Sequence, residues 1–434
     1  MGTSAGWTAN DIGKWDVVVA GGGPAGCTAA TAAAQEGKKV LLLEATGALG
    51  GMGTSGLIPA WCPFSDGKQI IYRGLAEKVF MESKKGCPHS PPEHLDWAPI
   101  NPEQLKRVYD DLVESAGVEV IFFSMVGGVR QDNGRISEVL ITNKGGLGSV
   151  KADVFVDCTG DGDLCAWGGT PYEKGDARGE MQPATHCFML SSVNTFHYSN
   201  GNRPWRSVVQ QRLDMNKYKR LGDLHLCNCQ VGADTVGFNS GHLWDIDGTD
   251  PRCLSNAMRE GRRIAAEYRD ALAEALPLAF GGAFLASTGP LMGIRETRRV
   301  SGDYKLTLDD YIARRTFDDE ICRNAYPIDI HTAKAEVADA LDEKVNAMER
   351  FENYKPGESH GIPYRCLIPQ KLANVLAAGR CISTDRPVQA STRVMPVALA
   401  MGEAAGVAAA MSADKGGETR AIDTGRLRDR LRQR

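Results

Sequence analysis

The clearest hydrophobic block, Val17-Val-Val-Ala20, is continuous rather than alternating and stops at a glycine, as a strand buried on both faces does. Small residues follow from Cys27 to Gln35, the composition of a closely packed helix. A second apolar run, Val40-Leu-Leu-Leu43, then closes on Glu44. The pattern predicts strand, tight turn, helix and strand. Farther along, Leu105, Val108, Leu112, Val113 and Ala116 recur at helical spacing. Asn101-Pro102-Glu103 supplies a cap and a first-turn proline, and Gly117 a stop. Val118 to Phe123 predicts a strand. Arg135–Thr142 and Ser149–Asp157 predict a hairpin around Lys144-Gly-Gly-Leu-Gly148, a turn rather than a phosphate loop because no helix follows it. Residues 60–100 predict loop around one short helix at 74–81, and helical patterns return at 254–274 and 333–352. Near the C-terminus a predicted loop, Arg386 to Arg393, precedes Met395–Met411, so rich in Ala and Gly that this helix has to pack at close range.

The first turn carries G-x-G-x-x-G at Gly21, Gly23 and Gly26, with Gly22, Pro24 and Ala25 between them. In such a unit the glycines allow the tight turn, the approach of backbone amides to a pyrophosphate, and close helix–strand packing. An acid at the end of the second strand, Glu44, suits a ribose diol and repels a 2′-phosphate. One loop later comes a second glycine-rich run, Gly47 to Gly56. NAD needs no such loop, whereas a flavin dinucleotide has a further part for it to wrap, so FAD is expected over NAD and NADP. Val154 to Asp163, an apolar strand ending in Thr159-Gly160-Asp161, returns the chain to the ligand edge of the same sheet.

Composition narrows the class further. The chain has 434 residues, room for two or three domains, and a net charge of −4 with Lys and Arg scattered, so no nucleic-acid partner is expected. No apolar run reaches the ~20 residues of a membrane span, and Met1 to Lys14, polar and without a signal-peptide pattern, is expected to be a short arm. Of twelve cysteines none forms Cys-x-x-Cys, and Cys227-x-Cys229 lacks a second ligand pair. Buried free thiols in a cytoplasmic protein, with no metal site, are the expectation.

Seven segments together resemble the FAD-dependent oxidoreductase family of bacterial flavoproteins, within the glutathione-reductase-type superfamily. They are Val17–Gly26, Leu49–Thr54, Val156–Asp161, Gly293–Tyr304, Tyr326–His331, Asn374–Arg380 and Ser391–Pro396. The resemblance spans nearly the whole chain and is weakest at 60–100 and 195–285. It implies an α/β fold: a Rossmann-type FAD-binding domain split in sequence (14–180 and 355–434) around an inserted α+β substrate domain (181–354). It further implies that Gly21 to Gly26 hold the pyrophosphate and that Glu44 and Ala45 meet the adenosine ribose. Gly50, Gly51, Met52, Gly53 and Thr54 would cradle pyrophosphate and ribityl chain. Thr159, Gly160 and Asp161 would close over the adenosine side, and Val126 would line the adenine. Asp385, after Gly379 and Arg380, would stand near the ribityl hydroxyls or pyrophosphate. Pro396, Val397 and Ala398 would bring a helix start, with its positive dipole end, to the flavin N1/O2 edge.

The chain lacks a second dinucleotide fold, a Cys-x-x-x-x-Cys pair and a His-x-x-Gly-Gly element, which sets it apart from disulfide reductases and the fumarate-reductase branch. No His or Cys is placed for a covalent flavin link, so FAD is expected to be noncovalent. His331 is the candidate acid or base, and Arg295, Arg298 and Arg393 the candidate carboxylate clamps; His186 and Tyr364 are weaker candidates. The expected activity is hydride transfer between flavin N5 and a small polar molecule such as a hydroxy acid, sugar or amine. Oxygen, a quinone or a carrier protein would be the electron partner. The alternatives are a flavin-dependent hydroxylase or non-redox flavoenzyme, and a non-catalytic flavoprotein subunit.

Overall fold

The computed structural model describes residues 8–201, 203–331 and 353–434, so the helix expected over 333–352 lies outside the described residues. Six strands from the first part of the chain form most of one sheet: β1 (Asn10–Ala20), β2 (Val40–Leu43), β3 (Glu119–Ile121), β4 (Met125–Asp132), β5 (Arg135–Asn143) and β6 (Gly146–Asp157). Their order is β3-β2-β1-β6-β5-β4. β1, β2, β3 and β6 run parallel, while β5 and β4 turn back antiparallel. β6 is long enough for two neighbours on one side. Its start pairs with β5, and its end, Phe155 to Asp157, pairs in parallel with a strand from the far C-terminal region, Val375–Ala377. The α/β architecture thus recruits both ends of the chain into one sheet.

Successive β1 residues point to opposite faces. Val17 and Val19 join the core beneath the Pro24–Gln35 helix, and Val18 and Ala20 join a second core with Leu41, Leu43 and Phe155. On the first face the Met395–Ala413 helix packs directly on Pro24–Gln35, with Thr28 Oγ1 donating to Leu399 O at 2.8 Å. Contact is so close that a Cβ on Gly402 or Gly406 would lie 2.1 Å from the carbonyl oxygen of Ala25 or Ala29. Because the clash is with backbone, no rotamer relieves it. Gly406→Val is expected to cost about 3 kcal/mol, whereas Gly127→Val, whose Cβ meets nothing within 4 Å, is near neutral; thermal unfolding of the two variants checks this.

Ala184 to Met292 build a core of their own around a four-stranded antiparallel sheet ordered Phe284–Thr288, Phe188–Ser191, Thr235–Ser240, Leu226–Gly232, backed by the long Pro251–Ala275 helix. Leu306, Tyr311, Ile321 and Tyr326, by contrast, pack into the core of the large sheet.

Several local expectations are corrected. β1 starts at Asn10 rather than Asp16, because β6 extends far enough to pair with Asn10 to Lys14, so the polar arm is partly strand. The hairpin turn is only Lys144-Gly145, Gly146 to Gly148 being strand. The predicted loop before Met395 contains a helix, Arg386–Thr392, capped by Asp385. Met395–Ala413 is, by length and composition, apolar enough to cross a membrane, and nearly all of its residues are buried inside the protein.

Candidate active site

The two glycine loops meet over the carboxyl ends of β1 and β2. Gly21, at φ +96°, turns the chain so tightly that a Cβ would sit 2.5 Å from Cys158 O, and a Cβ on Gly26 would lie 1.8 Å from Gly21 O. A Cβ on Gly23, in contrast, meets nothing within 4 Å. Pro24 begins the helix there without a side-chain cap, leaving its first amides directed at that space. Gly50 N donates to Gly22 O at 2.8 Å and joins the second loop to the first. Glu44 is nearly buried; one carboxylate oxygen accepts from Gly22 N at 2.8 Å and the other from Thr46 N and Oγ1, each at 2.7 Å. Thr54 Oγ1 donates to Leu49 O at 2.6 Å.

The C-terminal segment clamps the third loop. Arg380 donates from Nε to Gly160 O at 2.8 Å and from Nη2 to Asp161 Oδ1 at 2.7 Å, while Thr159 donates to Asp157. Asp385 spends both carboxylate oxygens on backbone amides, those of Val388 at 2.9 Å and Leu308 at 2.6 Å. Val126 stands half-buried on β4 against the second core. The Met395–Ala413 helix also starts without a side-chain cap; Ala398 N donates to Val394 O at 3.1 Å. An open cradle at Gly23 and an uncapped helix start are features that a dinucleotide pyrophosphate fits.

Beside that second helix start lies a largely half-buried polar cluster. Arg393 Nη2 donates to Asp329 O at 3.0 Å and approaches its Oδ2 at 3.3 Å, and its Nε is buried without a partner among the described residues. Tyr326 Oη donates to the same Asp329 oxygen at 2.9 Å. His331 Nε2 is 3.4 Å from Asp329 Oδ2, and its Nδ1 is 2.9 Å from His242 Nε2. His242 Nδ1 is in turn in contact with Asp223 Oδ2. The His225 ring stacks on that of His242, their centroids 4.5 Å apart. Arg295 donates from Nη1 to Pro183 O at 2.7 Å and Thr185 Oγ1 at 2.8 Å. Burial, then the Arg295 charge, holds His331 well below the usual 6.5. Burial would raise Asp329, but contact with His331 and the charges of Arg393 and Arg295 outweigh it and hold its carboxyl well below the usual range. Burial, followed by Arg393, brings Arg295 down to about 10. His225 falls to about 3, mainly through burial and then His242.

Residues 16–431 match the profile of the FAD dependent oxidoreductases. The chain belongs to this family. It is an enzyme, and FAD is its cofactor. No curated protein matches the sequence. Among solved structures it is similar to the geranylgeranyl bacteriochlorophyll reductase-like protein from Thermoplasma acidophilum, at 13% identity over 97% of this chain and 82% of that one, TM-score 0.45. The flavin-dependent brominase Bmp2 gives 12% over 97% and 83%, TM-score 0.47, and the myxobacterial chondrochloren halogenase CndH 14% over 96% and 78%, TM-score 0.43.

In this FAD dependent oxidoreductase three of the substrate-side candidates, His331, Arg393 and Arg295, converge at one place, and Arg393 itself lies two residues ahead of the uncapped helix. Arg298 is not brought there, and it and the weaker candidates have other partners. His186 Nε2 is on Gly289 O at 2.7 Å, Tyr364 Oη donates to Thr419 O at 2.9 Å, and Arg298 pairs with Asp163 at 2.6 Å. Sequence reasoning missed Asp223, His225 and His242. One nitrogen from each of His225, His242 and His331 falls within 4.8 Å of the others, the one such group of His, Cys, Asp or Glu found among the described residues. Gly23→Val provides a test of the cradle: the fold is expected to persist while flavin is lost, read as the ratio of flavin to protein absorbance against the unfolding midpoint.

Proposed function

We propose that the enzyme transfers a hydride between flavin N5 and a small carboxylate-bearing substrate, a 2-hydroxy acid being the class the cluster suits best. The observation that carries this is Arg393 Nε, a buried guanidinium N–H without a partner among the described residues, beside an imidazole held neutral. A guanidinium recognises a carboxylate through parallel hydrogen bonds, and a neutral imidazole can take a hydroxyl proton. Bound FAD supplies hydride acceptance; the chain's own groups have to bind the acid and move the proton. Arg393 grips the carboxylate, Arg295 adds positive charge from a fixed position, and His331 is the base.

FAD itself is assigned to Gly21–Gly26 for the pyrophosphate, Glu44 and Ala45 for the ribose, and Gly50–Thr54 for the ribityl side. Thr159–Asp161, Val126, Gly379, Arg380 and Asp385 would surround the remainder, with Pro396, Val397 and Ala398 at the flavin edge. The open space at Gly23 and the uncapped helix at Met395 support this placement. We place the FAD domain in two segments around an inserted substrate unit that ends near residue 294, in line with the separate core of 184–292. Twelve free cysteines favour a cytoplasmic setting. Oxygen, a quinone or a carrier protein closes the electron cycle. The test is anaerobic addition of hydroxy acids, sugars and amines to the holoenzyme. Bleaching by hydroxy acids is expected, and bleaching confined to sugars or amines would overturn the assignment.

A further inference from the structure

We propose that Asp223, His242, His331 and Asp329 form a one-proton acceptor, a pair of imidazoles between two carboxylates, that takes the substrate's hydroxyl proton at His331 Nε2 and passes its charge to His242. This rests on the functional reading above and adds the groups that make His331 a usable base.

A carboxylate only accepts, so the contact between Asp223 and His242 Nδ1 requires a proton on that nitrogen. In a neutral ring His242 Nε2 is then an acceptor, and the 2.9 Å contact makes His331 Nδ1 its donor. That leaves the lone pair of His331 on Nε2. Its 3.4 Å separation from Asp329 is longer than the contact at the other end, and that Asp329 oxygen already accepts from Tyr326. When Nε2 takes a proton, the two rings hold three protons and both outer nitrogens face a carboxylate as N–H donors. Loading is therefore matched by a partner at each end.

The surrounding charges decide where the positive charge rests. Arg295 and Arg393 stand near His331 and oppose a cation there. His242 has Asp223 in contact, and that carboxyl is held at about 2: burial would raise it, but the bond and charge of His242 prevail. A proton taken at Nε2 can be matched by movement of the shared Nδ1 proton to His242 Nε2, so the charge settles beside Asp223. His225, stacked on His242, is neutral and adds no competing charge. Trp244 meets the His242 ring edge-on and is one wall of an open cleft with Lys174, Glu180 and Asp247, which gives the proton a way out. For a hydroxy acid the balance closes: the C–H bond gives its electron pair and hydrogen to the flavin, C–O becomes C=O, and the O–H proton goes to the pair.

The test uses holoenzyme labelled with 15N-histidine, with the eight rings read by long-range 1H–15N correlation and assigned through variants. At neutral pH both His242 and His331 are expected as Nδ1–H tautomers, and acidification should move their nitrogens along one shared transition. Asp223→Asn should lower that transition by ~1–3 pH units and shift the acid limb of flavin reduction equally, with substrate Kd unchanged. His242→Gln, measured beside it, should slow reduction and abolish the shared transition. Independent titration of the two rings, or a D223N profile identical to the parent, overturns the proposal. So does stoichiometric binding of added Zn2+ with shifts at all three imidazoles. If the shared titration is found but no hydroxy acid reduces the flavin, the proton acceptor stands and the substrate assignment fails.

Discussion

Arg393→Met is expected to lower the apparent second-order rate of flavin reduction by a hydroxy acid about 10²–10³-fold, with most of the loss in Kd. Removing one partner of a desolvated, charge-assisted pair costs ~3–4 kcal/mol, and ~1.4 kcal/mol is a factor of ten. The side chain is placed for such a pair, because its Nη2 is committed to Asp329 while its buried Nε has no partner among the described residues. Arg393→Lys keeps the charge but not the fork, and an intermediate loss is expected. Dithionite reduction of the same variants controls for flavin access: it should proceed as in the parent. An unchanged Kd in Arg393→Met would remove Arg393 from the binding role.

His331→Gln is expected to show the converse split. Loss of a positioned base costs 10²–10⁴ in rate, so the limiting rate of reduction should fall by about 10³ while Kd stays within a few-fold. The pH dependence carries the same information. Burial and Arg295 hold His331 below the usual 6.5, so the base is unprotonated at neutral pH. The parent rate should be flat above 6.5 and decline only as pH falls through the lowered value; His331→Gln should show no such decline. A steep rise in rate between pH 7 and 9 in the parent would point to a different base.

The cofactor side of this protein was legible because its signals are local. Gly21, Gly23, Gly26 and Glu44 sit within one strand–helix–strand unit, and the constraints that select them act over a few residues. The Arg386–Thr392 helix was also within reach: Asp385 followed by Pro387 is a cap with a first-turn proline, and Asp385 Oδ1 does accept from Val388 N. β4 was harder, since Gly127 and Gly128 interrupt its pattern and its solvent-facing residues are polar. The proton-acceptor geometry had no sequence signature at all. Asp223 and His242 lie just outside the paired strands Leu226–Gly232 and Thr235–Ser240, Asp329 and His331 lie in a later segment, and only tertiary packing brings His242 within 2.9 Å of a residue 89 positions away.

We propose oxidation of a carboxylate-bearing alcohol by the flavin through Arg393 and His331. The deciding measurement is the anaerobic visible spectrum of the holoenzyme, with a 2-hydroxy acid compared against the matched alcohol that lacks the carboxylate. The flavin bands are expected to bleach with the acid, and at least ~10²-fold more slowly with the alcohol. Equal rates for the two, or no bleaching by any hydroxy acid, would contradict it.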